Sequence, residues 1–135
     1  MAVKQRTKTF TKERVGVYSL NSVYCCDNLE LLKIIEDQRL DLVYCDVLYA
    51  TGRKFKDFID LKYDRTVVLD HYKTRIDLIY KKVKETGTVY IHTDWRITHW
   101  IRMMLDDVFG IHNFRNEIIW HYNSSPRKKN CFGSR

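Results

Sequence analysis

The stretch Leu40-Asp41-Leu42-Val43-Tyr44-Cys45-Asp46 constrains the fold more than any other part of this chain. After Asp41 it is apolar almost without a break until an acid closes it, as expected of a strand covered on both faces. Such a strand needs helices to cover it, and the flanking sequence supplies them. Asp27 opens a first helix, with Glu30 in capping-box relation and Leu29, Leu32 and Ile35 as its apolar stripe. Leu69, Tyr72, Ile76, Ile79 and Val83 recur at helical spacing and predict a long amphipathic helix stopped by Gly87. Asp94 is placed to cap a third helix carrying Ile97, Ile101, Met104 and Val108, which Gly110 ends. Short β-prone runs at 22–26, 88–92 and 117–122 supply the remaining strands. The alternation of strand and helix predicts an α/β fold, a partial sheet of mostly parallel strands joined by crossover helices. Between Val47 and about Val67 the pattern lapses into a polar segment containing Gly52, and loops of that length are usually functional.

Charge narrows the partners. The 135 residues carry 24 Lys and Arg against 17 Asp and Glu, a net +7, and the excess sits at the two ends. Residues 1–14 hold five bases and one acid, residues 123–135 four bases and no acid, and the body between them is close to neutral. Basic ends on a neutral body suggest a polyanion, nucleic acid first, although basic tails also serve simply as solubilising ends. No apolar run approaches the roughly 20 residues of a membrane helix. The N-terminus lacks the apolar stretch of about 7–15 residues of a secretory signal, so a cytoplasmic location without a membrane partner is expected. Cys25, Cys26, Cys45 and Cys131 form no Cys-x-x-Cys pair and read as reduced, mostly buried thiols, with no metal site expected.

In a parallel sheet, ligands sit at the carboxyl ends of the strands. Those ends here are Cys26 and Asp27, Asp46 to Tyr49, and His92 to Trp95. A carboxylate at a strand tip accepts from an amino group, the next backbone carbonyl accepts again, and an aromatic ring three residues on stacks on a planar base. Asp46, Val47 and Tyr49 have that arrangement. Spacing alone leaves open, and by itself favours, a plainer reading in which Asp46 caps the turn and Tyr49 packs on the loop.

From Asn21 onward the chain resembles the N-terminal part of a β-class, type III-like adenine-specific DNA methyltransferase, of the N4/N6 amino-methyltransferase family. The matching stretches are Tyr24-Cys25-Cys26-Asp27-Asn28-Leu29-Glu30-Leu31-Leu32, the run Asp41 to Arg53, Gly87-Thr88-Val89-Tyr90-Ile91-His92-Thr93-Asp94-Trp95, Leu105 to Gly110, and Asn113 to Trp120, in the family's order. The resemblance implies a Rossmann-like methyltransferase sheet. It also implies transfer of a methyl group from S-adenosylmethionine to N6 of an adenine flipped out of double-stranded DNA, within restriction-modification. Carried over, Asp46 accepts from the amine, the Val47 carbonyl accepts beside it, Tyr49 stacks, and His92 to Trp95 line the same pocket. Asp27 and Asp46 edge the cofactor site.

Two departures qualify the expectation. The family's Asp-Pro-Pro-Tyr motif is Asp46-Val47-Leu48-Tyr49 here, which keeps the carbonyl but loses the prolines that stiffen the turn. The glycines are Gly16, Gly52, Gly87, Gly110 and Gly133, so the Gly-x-Gly of the family's cofactor motif is absent. These features divide the chain into a basic arm (1–20), a catalytic-half methyltransferase region (21–122) and a basic tail (123–135) that begins a recognition region. They lead us to expect a truncated or inactive piece, its partners being DNA and a missing C-terminal half or restriction subunit. The alternative is a non-catalytic DNA-binding remnant.

Overall fold

The computed structural model describes Tyr18 and residues 21–120; the basic tail, most of the basic arm and Cys131 lie outside the described residues. The element order is α1 (Asn28–Ile34), β1 (Leu40–Asp46), α2 (Arg65–Lys82), β2 (Val83–His92) and α3 (Thr98–Phe109), followed by a single 3-10 turn at Ile111–Asn113. β1 and β2 pair in one two-stranded sheet. Partner numbers rise together, from Arg39 N–H on the Lys82 carbonyl to Val47 N–H on the His92 carbonyl, so the pair is parallel, with α2 as its crossover. The expected α/β class with parallel strands is therefore what the chain adopts.

The chain gathers into two compact units. The first comprises the described residues up to 44 together with 72–90. In it, Asp27 caps α1 by accepting from Leu29 N–H at 2.9 Å, while its own carbonyl accepts from Glu30 N–H at 3.0 Å. Leu32, Ile35, Tyr72, Ile76 and Ile79 are buried, most of the stripe expected of these helices, while Leu29 is half-buried and the buried Val83 lies on β2. Each such side chain contributes roughly 1.5–3 kcal/mol when fully buried, so this cluster holds the unit. Lys82 is buried as well and pairs with Asp37 at 2.6 Å.

The second unit comprises, among the described residues, 45–71 with 91–120. Asp64 opens α2 there, its carboxylate accepting from Val67 N–H at 3.0 Å. Ala50, Val68, Ile97, Ile101 and Met104 are buried. Gly110 ends α3 at φ +85, its amide on the Asp106 carbonyl. Arg102 reaches Asp106 one turn on at 2.9 Å and lies over the Phe114 ring.

Four expectations are corrected. Residues 22–26 and 117–120 form no strand among the described residues, and Ile118, Ile119 and Trp120 are over 70 % exposed. An apolar run becomes a strand only where a neighbour continues its ladder over several residues, and in the first run only Tyr24 is in a β-bridge. β1 is not covered on both faces: Leu42 and Tyr44 are 59 % and 63 % exposed. α2 ends at Lys82 rather than at Gly87, and β2 starts at once. Asp94 does not provide the side-chain cap of α3; its carboxylate instead accepts from Arg96 N–H at 2.9 Å, one turn earlier. No helix among the described residues is long and apolar enough to cross a membrane.

Candidate functional site

The strand tip is the place to look, because backbone groups that leave the sheet there are free to meet a ligand. Asp46 closes β1, and its side chain is 63 % exposed. Its Oδ1 accepts the Tyr49 hydroxyl at 2.8 Å and lies 3.3 Å from His92 Nδ1. Tyr49 and His92 meet edge to face, with ring centroids 5.9 Å apart. Val47 N–H donates to the His92 carbonyl, which ties the turn to the end of β2. Among the described residues nothing donates to Asp46 Oδ2 or to the Val47 carbonyl. The corner thus presents two acceptors on consecutive residues, with the Tyr49 ring tied to the first through its hydroxyl. An exocyclic amine has two N–H bonds to give and suits that pair.

The backbone beyond Tyr49 is held by a residue that sequence reasoning missed. Ala50 is fully buried with φ +55, a left-handed conformation that costs a non-glycine residue about 1–2 kcal/mol. Asp60, itself buried, keeps it there. Its carboxylate accepts from Ala50 N–H at 3.1 Å, Thr51 N–H at 2.7 Å and Leu61 N–H at 2.8 Å, and from the Thr51 hydroxyl. The expected long loop is therefore folded back on itself. Gly52 N–H donates to the Leu61 carbonyl, Asp60 N–H to that of Arg53, and Phe55 stacks on Phe58 at its tip. The only trace of this in the sequence is an acid inside Phe58-Ile59-Asp60-Leu61, where an apolar residue is otherwise expected.

Asp27, expected at the cofactor site, belongs to the other unit. Both of its carboxylate oxygens lie 3.0 Å from Arg75 Nη2, and Arg75 Nε donates to Asn28. Burial raises the Cys45 thiol above its usual range, and burial with nearby Glu30, Cys25 and Asp27 does the same to Cys26. Both shifts lower the thiolate fraction, the form that acts as a nucleophile. No group of three His, Cys, Asp or Glu among the described residues could hold a metal ion.

Fold and corner together define an α/β protein whose polar site sits at the carboxyl end of a parallel strand pair. The family model N6_N4_Mtase, described as DNA methylase, matches residues 40–134, and the chain belongs to that family. It is 26 % identical over 132 residues to the Type II methyltransferase M.EcaI of Enterobacter cloacae, covering 93 % of this chain and 29 % of that protein. It is 24 % identical over 112 residues to the Type II methyltransferase M.HpaI of Haemophilus parainfluenzae, covering 82 % and 35 %. The chain thus spans about a third of the length of the curated relatives it matches.

Proposed function

We propose that this chain is the base-binding part of a restriction-modification DNA methyltransferase that acts on N6 of a flipped adenine in double-stranded DNA. The observation that carries the reading is the strand-tip corner. Asp46 is anchored through Oδ1 by Tyr49 and His92, which leaves Oδ2 and the Val47 carbonyl as a fixed pair of acceptors. Both N–H bonds of the amine point into that pair. This directs the nitrogen lone pair out of the base plane and orients it for attack, which is where positioning gains rate. Tyr49 supplies the ring on which the base stacks, with its hydroxyl giving up or sharing Asp46.

The methyl donor in this reading is S-adenosylmethionine, which supplies an electrophilic methyl group when bound. The residues present do not by themselves fit that group. Asp27 is committed to Arg75 and Leu29, and no Gly-x-Gly pair occurs among the five glycines. The 135 residues alone are proposed to be inactive.

The test is a chimera in which these residues replace the matching segment of M.EcaI. Radiolabelled methyl transfer to DNA should give N6-methyladenine, and Asp46→Ala should reduce the rate at least about a hundredfold, as loss of a positioning acceptor does. A product that is only N4-methylcytosine, or full activity without Asp46, would overturn the reading. Val47 and Leu48 favour one alternative, a non-catalytic DNA-binding remnant, because a turn without proline is less stiff. In the same chimera, Val47→Pro with Leu48→Pro should raise the methylation rate; an unchanged rate would show that the missing prolines cost nothing.

A further inference from the structure

We propose that an open cleft lined by residues that directly follow the Asp46–Tyr49 corner in sequence binds one nucleotide of the DNA strand beside the flipped adenine, Arg53 and Arg96 taking its phosphate and Tyr63 and Trp95 its base. The proposal rests on DNA being the substrate. The cleft has a volume of about 240 Å³ and is lined by Ala50, Thr51, Arg53, Tyr63, Trp95 and Arg96. Two cations and two aromatic rings meet there with no acid in the lining, the combination that proteins use to hold single-stranded nucleic acid.

Each element is prepared for this use. The Arg53 guanidinium is exposed and has no partner among the described residues. Arg96 is fixed from one side only: Nη1 bonds Asp94 at 2.7 Å and Cζ lies 4.8 Å from the Trp95 ring centroid. Its remaining N–H donors stay available among the described residues, in the fork geometry that suits a phosphate. Tyr63 stacks on Trp100, with centroids 5.2 Å apart, yet is 58 % exposed, and Trp95 is 58 % exposed as well. A ring held on one face and open on the other is a platform for a base.

Size separates this ligand from a complete cofactor. Sites that bury a whole small molecule enclose about 300–1,000 Å³, so this cleft takes one part of a longer ligand. Its location agrees: Ala50 and Thr51 follow Tyr49 directly and are pinned by Asp60, so a nucleotide here is close to the base at the corner. Exposed Lys54, Lys56, Lys62 and Arg65 on the same segment outnumber exposed Asp57 and Asp64 and draw a phosphate chain towards it.

Binding of a short oligothymidylate to the full 135-residue chain tests the proposal. Thymine carries no exocyclic amine, so the Asp46 acceptors cannot supply its affinity. Binding should be saturable. Arg53→Ala and Arg96→Ala should each flatten the plot of log affinity against log salt, the two together by about 0.7, the value of one single-strand phosphate contact. Trp95→Ala should weaken binding about tenfold, as loss of one stacking ring does. Arg53 is exposed and unpartnered among the described residues, so its variant leaves the fold intact and is decisive. An unchanged affinity and salt slope in Arg53→Ala and Trp95→Ala would overturn the proposal. It would also be overturned if S-adenosylmethionine competed with the oligonucleotide for these residues. Failure of the chimera to methylate adenine, with oligothymidylate binding still sensitive to Arg53, would instead overturn the adenine reading and leave the cleft standing.

Discussion

Asp60 is a buried carboxylate, and among the described residues no cation pairs with it; it is satisfied by three backbone amides and one hydroxyl. A buried acid is tolerated only when such donors replace its water, and the donors in turn need the acid. Asp60→Ala leaves the buried Ala50 N–H without a partner and frees a backbone that holds a left-handed conformation against its preference. Each orphaned buried group costs about 1–3 kcal/mol, so a loss of about 3 kcal/mol is expected in urea unfolding followed by Trp fluorescence. Unchanged stability would show that water substitutes for the carboxylate. The grouping of Asp46, Val47 and Tyr49 at a strand tip was legible because their relation is local, within four consecutive positions. Asp60 was not. Apart from its neighbour Leu61, its partners lie nine and ten residues upstream, and only the folding back of the loop brings them to it.

At the scale of elements, the helix stripes were readable because burial follows the 3.6-residue period: Tyr72, Ile76 and Ile79 on α2, and Ile97, Ile101 and Met104 at and on α3, are all buried. The ends of elements were less readable. Gly87 looks like a helix stop, yet α2 has already ended at Lys82, where Gln38 and Arg39 N–H take the carbonyls of Lys81 and Lys82. Gly87 is needed for another reason. A Cβ there would lie 2.7 Å from Val83 Cγ1 and 2.9 Å from the Leu40 carbonyl, so the start of β2 passes too close to β1 for any side chain. Both neighbours are constrained, Leu40 by its place in β1 and Val83 by burial. Gly87→Ala should therefore destabilise the chain by about 1–3 kcal/mol, the usual cost of overpacking, as a lowered urea midpoint at unchanged slope. The apolar runs at 22–26 and 117–120 show the converse limit: composition marks a segment as able to form a strand, but the partner that makes it one is not written in the segment.

At the scale of the whole molecule, the DNA side and the donor side of the proposed chemistry are unequally represented. The DNA side has the paired acceptors of the corner, two arginines and two exposed rings in the cleft, and a net charge of +7. The donor side has one expected contributor, Asp27, whose carboxylate caps α1 and is held by Arg75, a side chain only 14 % exposed. Freeing that carboxylate for a ligand would take its charge partner from a largely buried guanidinium, a cost that counts against such a role. The phosphate-free, sulfonium-bearing donor also gains little from a basic surface. Calorimetric titration of the 135-residue chain with S-adenosylmethionine is therefore expected to give no saturable heat, while duplex DNA binds with an affinity that falls steeply as salt rises. Arg75→Ala separates the two possible reasons. If it releases Asp27 and saturable heat appears, the ion pair was masking a donor site. If none appears, the missing Gly-x-Gly turn is what the chain lacks. Saturable heat with the unaltered chain would mean that Asp27 serves the donor despite Arg75, and would place both halves of the reaction within these residues.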